Sequence, residues 1–194
     1  MPNEIEDRTR SAAGRSAPLD RVIPGPSQES VWDYPRIPRL EPVTEWIRVV
    51  MDGLTVAATD HGWRVLETGG APVYYVPPED VRHDVLRPNP HRSACEWKGE
   101  ARYHTLRIGD RVVEDVAWSY ADPKAGFEPI RDHLAFYAGR VDEAWLGDKR
   151  ATPQPGNFYG GWVTSRIVGP FKSPPTLLGW VEGQVRKVLK ERRP

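Results

Sequence analysis

The chain has 194 residues, which is enough for about one domain. Its 27 basic residues balance 27 acidic residues, so no net positive charge attracts nucleic acid or anionic lipid, and we predict neither partner. The single cysteine, Cys95, excludes an intrachain disulfide and a four-thiolate zinc site. No apolar run is long enough for a membrane-spanning helix and no secretion signal is evident, so we expect a cytoplasmic protein.

Residues 1–29 contain few large apolar side chains and show no periodicity. Because such a segment buries too little surface to offset the entropy of ordering it, we predict a disordered N-terminal arm over residues 1–29. We expect the folded domain to span residues 30–174. Hydrophobic residues make up only 39% of the chain, and 20 prolines and 17 glycines favour a loop-rich, mainly β domain.

Three turn motifs predict antiparallel hairpins, because each lies between two runs rich in strand-forming residues. The motifs are Asp52-Gly53, Gly109-Asp110 and Gly147-Asp148. Further strand-like runs cover residues 63–67, 72–77 and 116–120. The sequence therefore predicts a mainly β fold of antiparallel hairpins.

Helices are predicted as minor elements. Residues 78–86 begin with a proline and two acids, as a first helical turn often does, and a second short helix is predicted around residues 130–134. Apolar residues at helical spacing and a basic end predict a basic amphipathic C-terminal helix over residues 175–194.

The densest group of polar and aromatic residues contains Cys95, Trp97, Lys98 and Tyr103. Desolvation by Trp97 and nearby rings would weaken the preference of Lys98 for its charged form, which suits a nucleophile or base. The charge of Lys98 would in turn favour the thiolate of Cys95. The alternative interpretation of the same residues is an ordinary surface turn.

Glu67 is a further candidate, because it ends a strand-like run that also contains Arg64. A buried Glu67 needs a cationic partner, and the sequence offers Arg64, Lys98 and Arg102. Glu67 is therefore either a ligand contact or one half of a structural ion pair.

Trp118 and Tyr120 share one face of a predicted strand, because side chains alternate along it. The pair forms either a stacking wall for a planar ligand or part of the core. Both alternatives remain open from the sequence.

Familiar cofactor motifs are absent from the sequence. The five histidines show no metal-ligand spacing, and the strand-rich part contains no glycine-rich phosphate loop and no Asp-x-Asp or Glu-x-Glu pair. We therefore predict no metal and no cofactor.

Six segments of the chain resemble the domain of unknown function 427 family, whose members are often labelled nucleotidyltransferases. They are residues 30–36, 64–68, 74–77, 95–103, 117–120 and 135–137. Residues 160–164 and 167–171 are similar to the longer, actinobacterial-type members. The resemblance implies a β-tent fold, similar to methionine sulfoxide reductase B and to the ligand-binding domain of cereblon. The paired cysteines of zinc-bearing β-tents are missing here, so the resemblance carries over neither their metal nor their thiol chemistry.

We therefore expect the domain to bind a small planar or aromatic metabolite in an aromatic-walled cleft. The candidate ligand contacts are Arg64, Tyr75, Trp97, Arg102, Tyr103, Trp118 and Tyr120. The candidates for cofactor-independent catalysis are Lys98 and Cys95, with Glu67 beside them. Two alternatives are nucleotidyl transfer from a nucleoside triphosphate and a non-enzymatic protein interaction module. The sequence leaves open the ligand, the oligomeric state and whether any reaction is catalysed.

Overall fold

Antiparallel β-structure dominates the computed structural model, which describes residue 18, residues 20–156 and residues 158–172. The described strands are β1 (Glu29–Ser30), β2 (Arg39–Pro42), β3 (Ile47–Met51), β4 (Leu54–Thr59), β5 (Trp63–Glu67), β6 (Gly70–Tyr75), β7 (Leu86–Cys95), β8 (Gly99–Ile108), β9 (Arg111–Ser119), β10 (Ala135–Phe136), β11 (Glu143–Leu146), β12 (Lys149–Arg150), β13 (Thr152–Pro153), β14 (Trp162–Val163) and β15 (Ile167–Val168). The mainly β, antiparallel fold expected from the sequence is confirmed, and the sheets do not close into a barrel.

The strands form three sheets and two small ribbons. One four-stranded sheet has the order β10-β9-β8-β7, and a second has the order β12-β11-β3-β4. A three-stranded sheet has the order β2-β5-β6. The two ribbons are the antiparallel pair β13 and β14 and the parallel pair β1 and β15.

The three predicted hairpins are confirmed. The pairs β3–β4, β8–β9 and β11–β12 are antiparallel and joined at the predicted turn motifs. Asp52 and Gly53 both adopt left-handed backbone, with φ of 50° and 73°, as a tight hairpin turn with right-twisted strands requires. Gly109 and Gly147 take φ of 56° and 57° at the other two turns.

The helices predicted over residues 78–86 and 130–134 are wrong in length. The segment Pro78–Asp80 forms one 3-10 turn, after which Val81 bridges to Ala57 and β7 begins. A second 3-10 turn covers Glu128–Ile130, and a third covers Ala138–Arg140. Sheet pairing on both sides therefore outcompetes the local helical preference. The helix predicted over residues 175–194 lies outside the described residues.

The arm predicted over residues 1–29 differs from the structure in its last residues. The amide of Val22 donates to the Gly169 carbonyl (3.3 Å), and Glu29 begins strand β1 beside β15. These bonds come from residues more than a hundred positions away, so the local sequence does not reveal them. Residues 1–17 of that prediction are outside the described part of the chain.

The largest apolar core lies between the two four-stranded sheets. Its biggest buried side chains are Ile47, Met51, Tyr74, Leu106, Phe136 and Trp162. Burial of each such side chain stabilises the fold by about 1.5–3 kcal/mol. The Trp162 indole N–H also donates to the Phe136 carbonyl (2.8 Å), so its one polar atom is satisfied inside the core.

Arg64 of β5 joins three strands through charged hydrogen bonds. Its guanidinium donates to Glu41 of β2 (2.7 and 3.0 Å) and to Glu29 of β1 (2.9 and 3.1 Å). The Tyr34 hydroxyl donates to the same Glu29 carboxylate (2.8 Å). Because the Arg64 side chain is only 23% exposed, both carboxylates depend on it for compensation.

We expect Arg64→Gln to lower the free energy of unfolding by about 2 kcal/mol, because it removes the cation that Glu29 pairs with and leaves Glu41 only its exposed partner Arg39. Arg39→Gln is the matched control, since Arg39 pairs with the same Glu41 but its side chain is 57% exposed. That control should change stability by less than about 1 kcal/mol. Urea unfolding monitored by tryptophan fluorescence measures both variants, and equal losses would contradict the bridging role of Arg64.

Candidate functional site

Aromatic residues from β6, β8 and β9 meet on one face of the β10-β9-β8-β7 sheet. Trp118 lies on β9 and Tyr120 directly follows the end of that strand at Ser119, and Tyr103 of β8 lies directly opposite Trp118. Tyr75 of β6 places its ring edge-on to Trp118, with the centroids 6.4 Å apart. We call the packed set of Tyr75, Trp97, Tyr103, Trp118, Tyr120 and Tyr137 the aromatic cluster.

Lys98 lies at the tip of the β7–β8 hairpin and is buried against this cluster. It is 8% exposed, and its ammonium nitrogen lies 5.9 Å from the Tyr120 ring centre and 5.7 Å from that of Phe127. Within residues 20–156 and 158–172, no carboxylate pairs with it. The ring faces therefore compensate the Lys98 charge.

The hydroxyl groups near Cys95 are strongly desolvated. Burial, with smaller contributions from Tyr75 and Cys95, raises the pKa of Tyr120 far above its ordinary value. Burial likewise raises the pKa of Tyr75, whose hydroxyl forms no hydrogen bond within the described residues. An unpaired buried hydroxyl costs about 1–3 kcal/mol, so Tyr75 is held there by the packing of its ring.

A cleft of about 200 Å³ opens beside the aromatic cluster. It is lined by Tyr137, Ala138, Gly139, Arg140, Pro153, Tyr159, Gly160 and Gly161. The Tyr137 ring packs 4.5 Å from the Trp118 ring, centre to centre, so Tyr137 belongs to both the cluster and the cleft. The cleft is therefore continuous with the residues that the sequence singled out.

Gly160 lets the chain pass directly over Trp118. A Cβ at Gly160 would lie 2.0 Å from an indole ring atom, which is far inside contact distance. At Gly161 a Cβ would lie 2.5 Å from the Ala71 carbonyl oxygen. Buried Gln154 fixes this loop by accepting from the Ala71 amide (2.8 Å) and donating to the Lys172 carbonyl (2.8 Å). One wall of the cleft is therefore bare backbone.

Arg140 supplies the positive charge of the cleft. Its guanidinium carbon lies 4.6 Å from the centre of the Tyr137 ring. Its N–H groups donate to the carbonyls of Glu114 (3.2 Å) and Asp115 (2.9 Å). Among the residues that the structure describes, no carboxylate forms an ion pair with Arg140. Its charge is thus held in place by neutral groups.

The structure gathers some of the predicted site residues and separates others. The aromatic cluster and its border contain Tyr75, Cys95, Trp97, Lys98, Tyr103, Trp118 and Tyr120. Arg64 is bound to the two glutamates described above, and the Glu67 carboxylate accepts from Lys172 (2.7 Å) rather than from Arg64, Arg102 or Lys98. Arg102 is exposed on β8. The expectation that Arg64 and Glu67 reach the same cavity as Lys98 is therefore corrected.

The sequence interpretation did not single out the cleft residues themselves. Gly160, Gly161 and Tyr137 enter it only within segments 160–164 and 135–137, through the family resemblance. A local signal does exist, because Phe158 and Tyr159 precede the two glycines, and glycine beside aromatic residues is typical of close backbone approach. Arg140 carries no such signal, since its position depends on the fold of distant strands.

The described part of the chain contains no group of three His, Cys, Asp or Glu side chains placed to hold a metal ion. In the same residues, no helix has the length and apolar character needed to cross a bilayer.

Fold and site together describe an antiparallel β domain with an aromatic, positively charged cleft. A comparison with protein families matches the domain of unknown function 427 (DUF427) over residues 39–147. Because this match covers more than half of the chain, the protein belongs to the DUF427 family. A search of curated proteins found no match. The resemblance inferred from the sequence is therefore confirmed.

The opposite face of β8 and β9 holds a partly buried histidine, His104. His104 lies 3.0 Å from the Ser119 hydroxyl, and burial, together with the positive charges of His83 and Arg92, lowers the pKa of His104 to about 4. The folded protein therefore binds fewer protons than the unfolded chain between about pH 4 and pH 6.5.

We expect the free energy of unfolding to fall by about 1–2 kcal/mol through this one group as the pH drops from 7 to 4.5, because solvent reaches part of the ring and weakens the full effect of the shift. His104→Gln removes the titrating ring and keeps a polar side chain near Ser119, so the variant should lose less stability over the same range. Urea unfolding at several pH values measures the difference. Parallel pH curves for the two proteins would refute it.

Proposed function

We propose that this domain binds a small organic anion with a planar ring in the cleft beside Tyr137. The observation that carries the proposal is the combination of an aromatic wall with the Arg140 guanidinium, which lacks a carboxylate partner among the described residues. Pockets for small molecules are typically concave and apolar, with a few placed polar groups. This cleft fits that description at the scale of one or two rings.

The shape of the cleft favours a flat ligand. Tyr137 and Tyr159 contribute ring surfaces, and Gly160 and Gly161 contribute backbone without side chains. A planar ring can pack on the Arg140 guanidinium, which lies over the Tyr137 ring, and still approach the glycine backbone closely. A branched aliphatic group of similar hydrophobicity is not flat, so it cannot pack closely against the aromatic surface and the glycine backbone at the same time.

The charge of the cleft favours an anion. Backbone carbonyls hold Arg140 on one side and leave the remaining guanidinium donors for a ligand. Planar guanidinium groups match carboxylates in two-point hydrogen bonding. An aromatic carboxylate therefore satisfies both features of the cleft at once.

Catalysis at Lys98 or Cys95, which the sequence suggested, is not part of this proposal. The Lys98 ammonium faces the rings of Tyr120 and Phe127, and its backbone carbonyl accepts from the amide of Lys124 (3.1 Å). These contacts support a role for Lys98 in holding the β7–β8 hairpin onto the cluster.

We expect wild-type protein to bind 2-naphthoate and to bind its uncharged methyl ester about tenfold more weakly, as isothermal titration calorimetry can measure. Arg140→Gln should weaken 2-naphthoate binding by a similar factor and leave the methyl ester unaffected, because only the charged contact is lost. Tyr137→Leu should weaken both ligands, because it removes the stacking surface.

Arg48→Gln is the matched control, because Arg48 also lies over an aromatic ring, at 5.4 Å from the Trp145 ring centre, but does not line the cleft. It should bind 2-naphthoate as wild type does. Absence of binding to wild type, or equal losses in Arg48→Gln and Arg140→Gln, would overturn the proposal.

A further inference from the structure

Two bulges flank strand β8 next to the cleft. Residues 89–91 of β7 lie opposite Tyr103 alone, and residues 114–116 of β9 lie opposite Thr105 alone. Within the second bulge, Asp115 adopts left-handed backbone with φ of 52°, which a non-glycine residue rarely does. Bulges redirect side chains and are common beside active sites. The side chains that these two bulges redirect are therefore candidates for a functional role.

The bulges bring one carboxylate and one imidazole together across β8. The Asp115 carboxylate lies 2.8 Å from the Nδ1 atom of His91 and accepts from the Asn89 side-chain amide (2.9 Å). The same amide also donates to the Thr105 hydroxyl (3.0 Å), which ties both bulges to β8. The Asp115 side chain is 25% exposed and that of His91 is 51% exposed. The carboxylate is therefore held within the sheet, while the imidazole is accessible to solvent.

The hydrogen bonds settle which imidazole nitrogen carries the proton. Burial opposes the charge of Asp115, but hydrogen bonds from Asn89 and His91 hold the pKa of that carboxyl below its ordinary value. An ionised carboxylate only accepts, so Nδ1 of His91 donates to it, and in the neutral form of the ring the lone pair is then on Nε2. The His91 ring is also stacked on Tyr103, 4.1 Å between centres and nearly parallel, which fixes its orientation.

The cleft is built on the same bulge. The Tyr137 amide donates to the Val116 carbonyl (3.0 Å), and Arg140 donates to the carbonyls of Glu114 and Asp115. The Tyr137 side chain also interacts with that of Tyr103, on which His91 stacks. The histidine and the cleft therefore share one supporting segment and one aromatic face.

We propose that His91 is a general acid–base for hydrolysis of an aryl ester held in the cleft, with Asp115 as its positioning residue. This inference rests on the binding function proposed above. An acid–base residue alone suits this reaction, because its co-reactant is water and a phenol is a good leaving group. Imidazole oriented by a carboxylate is the arrangement that proton transfer of this kind requires.

The step balances without any further reagent. Nε2 of His91 takes a proton from water while the water oxygen bonds to the ester carbonyl carbon. The bond between that carbon and the aryl oxygen then breaks, and the leaving oxygen takes the proton from His91. The products are a carboxylic acid and a phenol, and no atom changes its oxidation state.

The test is hydrolysis of 4-acetoxybenzoate by the full chain, monitored by the absorbance of 4-hydroxybenzoate. This probe joins an aryl ester to the ring and carboxylate that the cleft is proposed to bind. We expect wild type to exceed the buffer rate and His91→Gln to lower kcat by about tenfold or more. Asp115→Asn should lower kcat with KM unchanged, since asparagine tolerates left-handed backbone but cannot orient the His91 proton.

His61→Gln is the matched control, because His61 forms a similar bond with Asp60 (2.9 Å) on an exposed surface but, unlike His91, neither stacks on Tyr103 nor pairs with the Asp115 bulge. It should leave kcat unchanged, and long-range proton–nitrogen spectra should show the Nδ1–H form of His91 in wild type and its loss in Asp115→Asn. No hydrolysis above buffer, or equal losses in His61→Gln and His91→Gln, would overturn the acid–base role. Binding of 2-naphthoate by all four proteins keeps this failure distinct from failure of the cleft.

Discussion

The burial of Trp118 is the constraint on which the rest of the site depends. Its indole packs edge-on to Tyr75 inside the domain and against Tyr137 at the surface. The indole also occupies the space that a side chain at Gly160 would need, so the loop crosses it as backbone alone. A ring that fills the interior thus determines the shape of the cleft outside it, so the core and the proposed binding site share one side chain.

Three cations of the domain, Arg64, Lys98 and Arg140, are held by three different sets of partners, although the whole chain has no net charge. The positive charge of Arg64 is neutralised by ion pairs with two carboxylates. The ammonium of Lys98 instead lies over two aromatic rings. Arg140 meets a ring and two carbonyls, which hold it in place and leave its charge available. Ring faces and carbonyl dipoles thus orient Arg140 at the cleft without forming an ion pair with it.

Local chemistry determines how much of this molecule its sequence predicts. Asp52-Gly53 predicts a hairpin because the turn itself demands left-handed backbone, and period-two alternation places Trp118 and Tyr120 together. The partners of Arg64 and Glu67 come from strands and segments far along the chain, so no local pattern reveals them. The pairing of His91 with Asp115 depends on two bulges whose positions follow from the registers of three strands. For these residues the decisive information is tertiary.

The left-handed backbone at Asp115 also limits how this position diverges among related proteins. Few residues adopt φ of 52° without strain, chiefly glycine, asparagine and aspartate. Glycine and asparagine would preserve the bulge and lose the carboxylate. The residue at position 115 in a related protein therefore shows which feature that protein retains. Aspartate retains both the bulge and the carboxylate that pairs with the imidazole, whereas glycine or asparagine retains only the bulge.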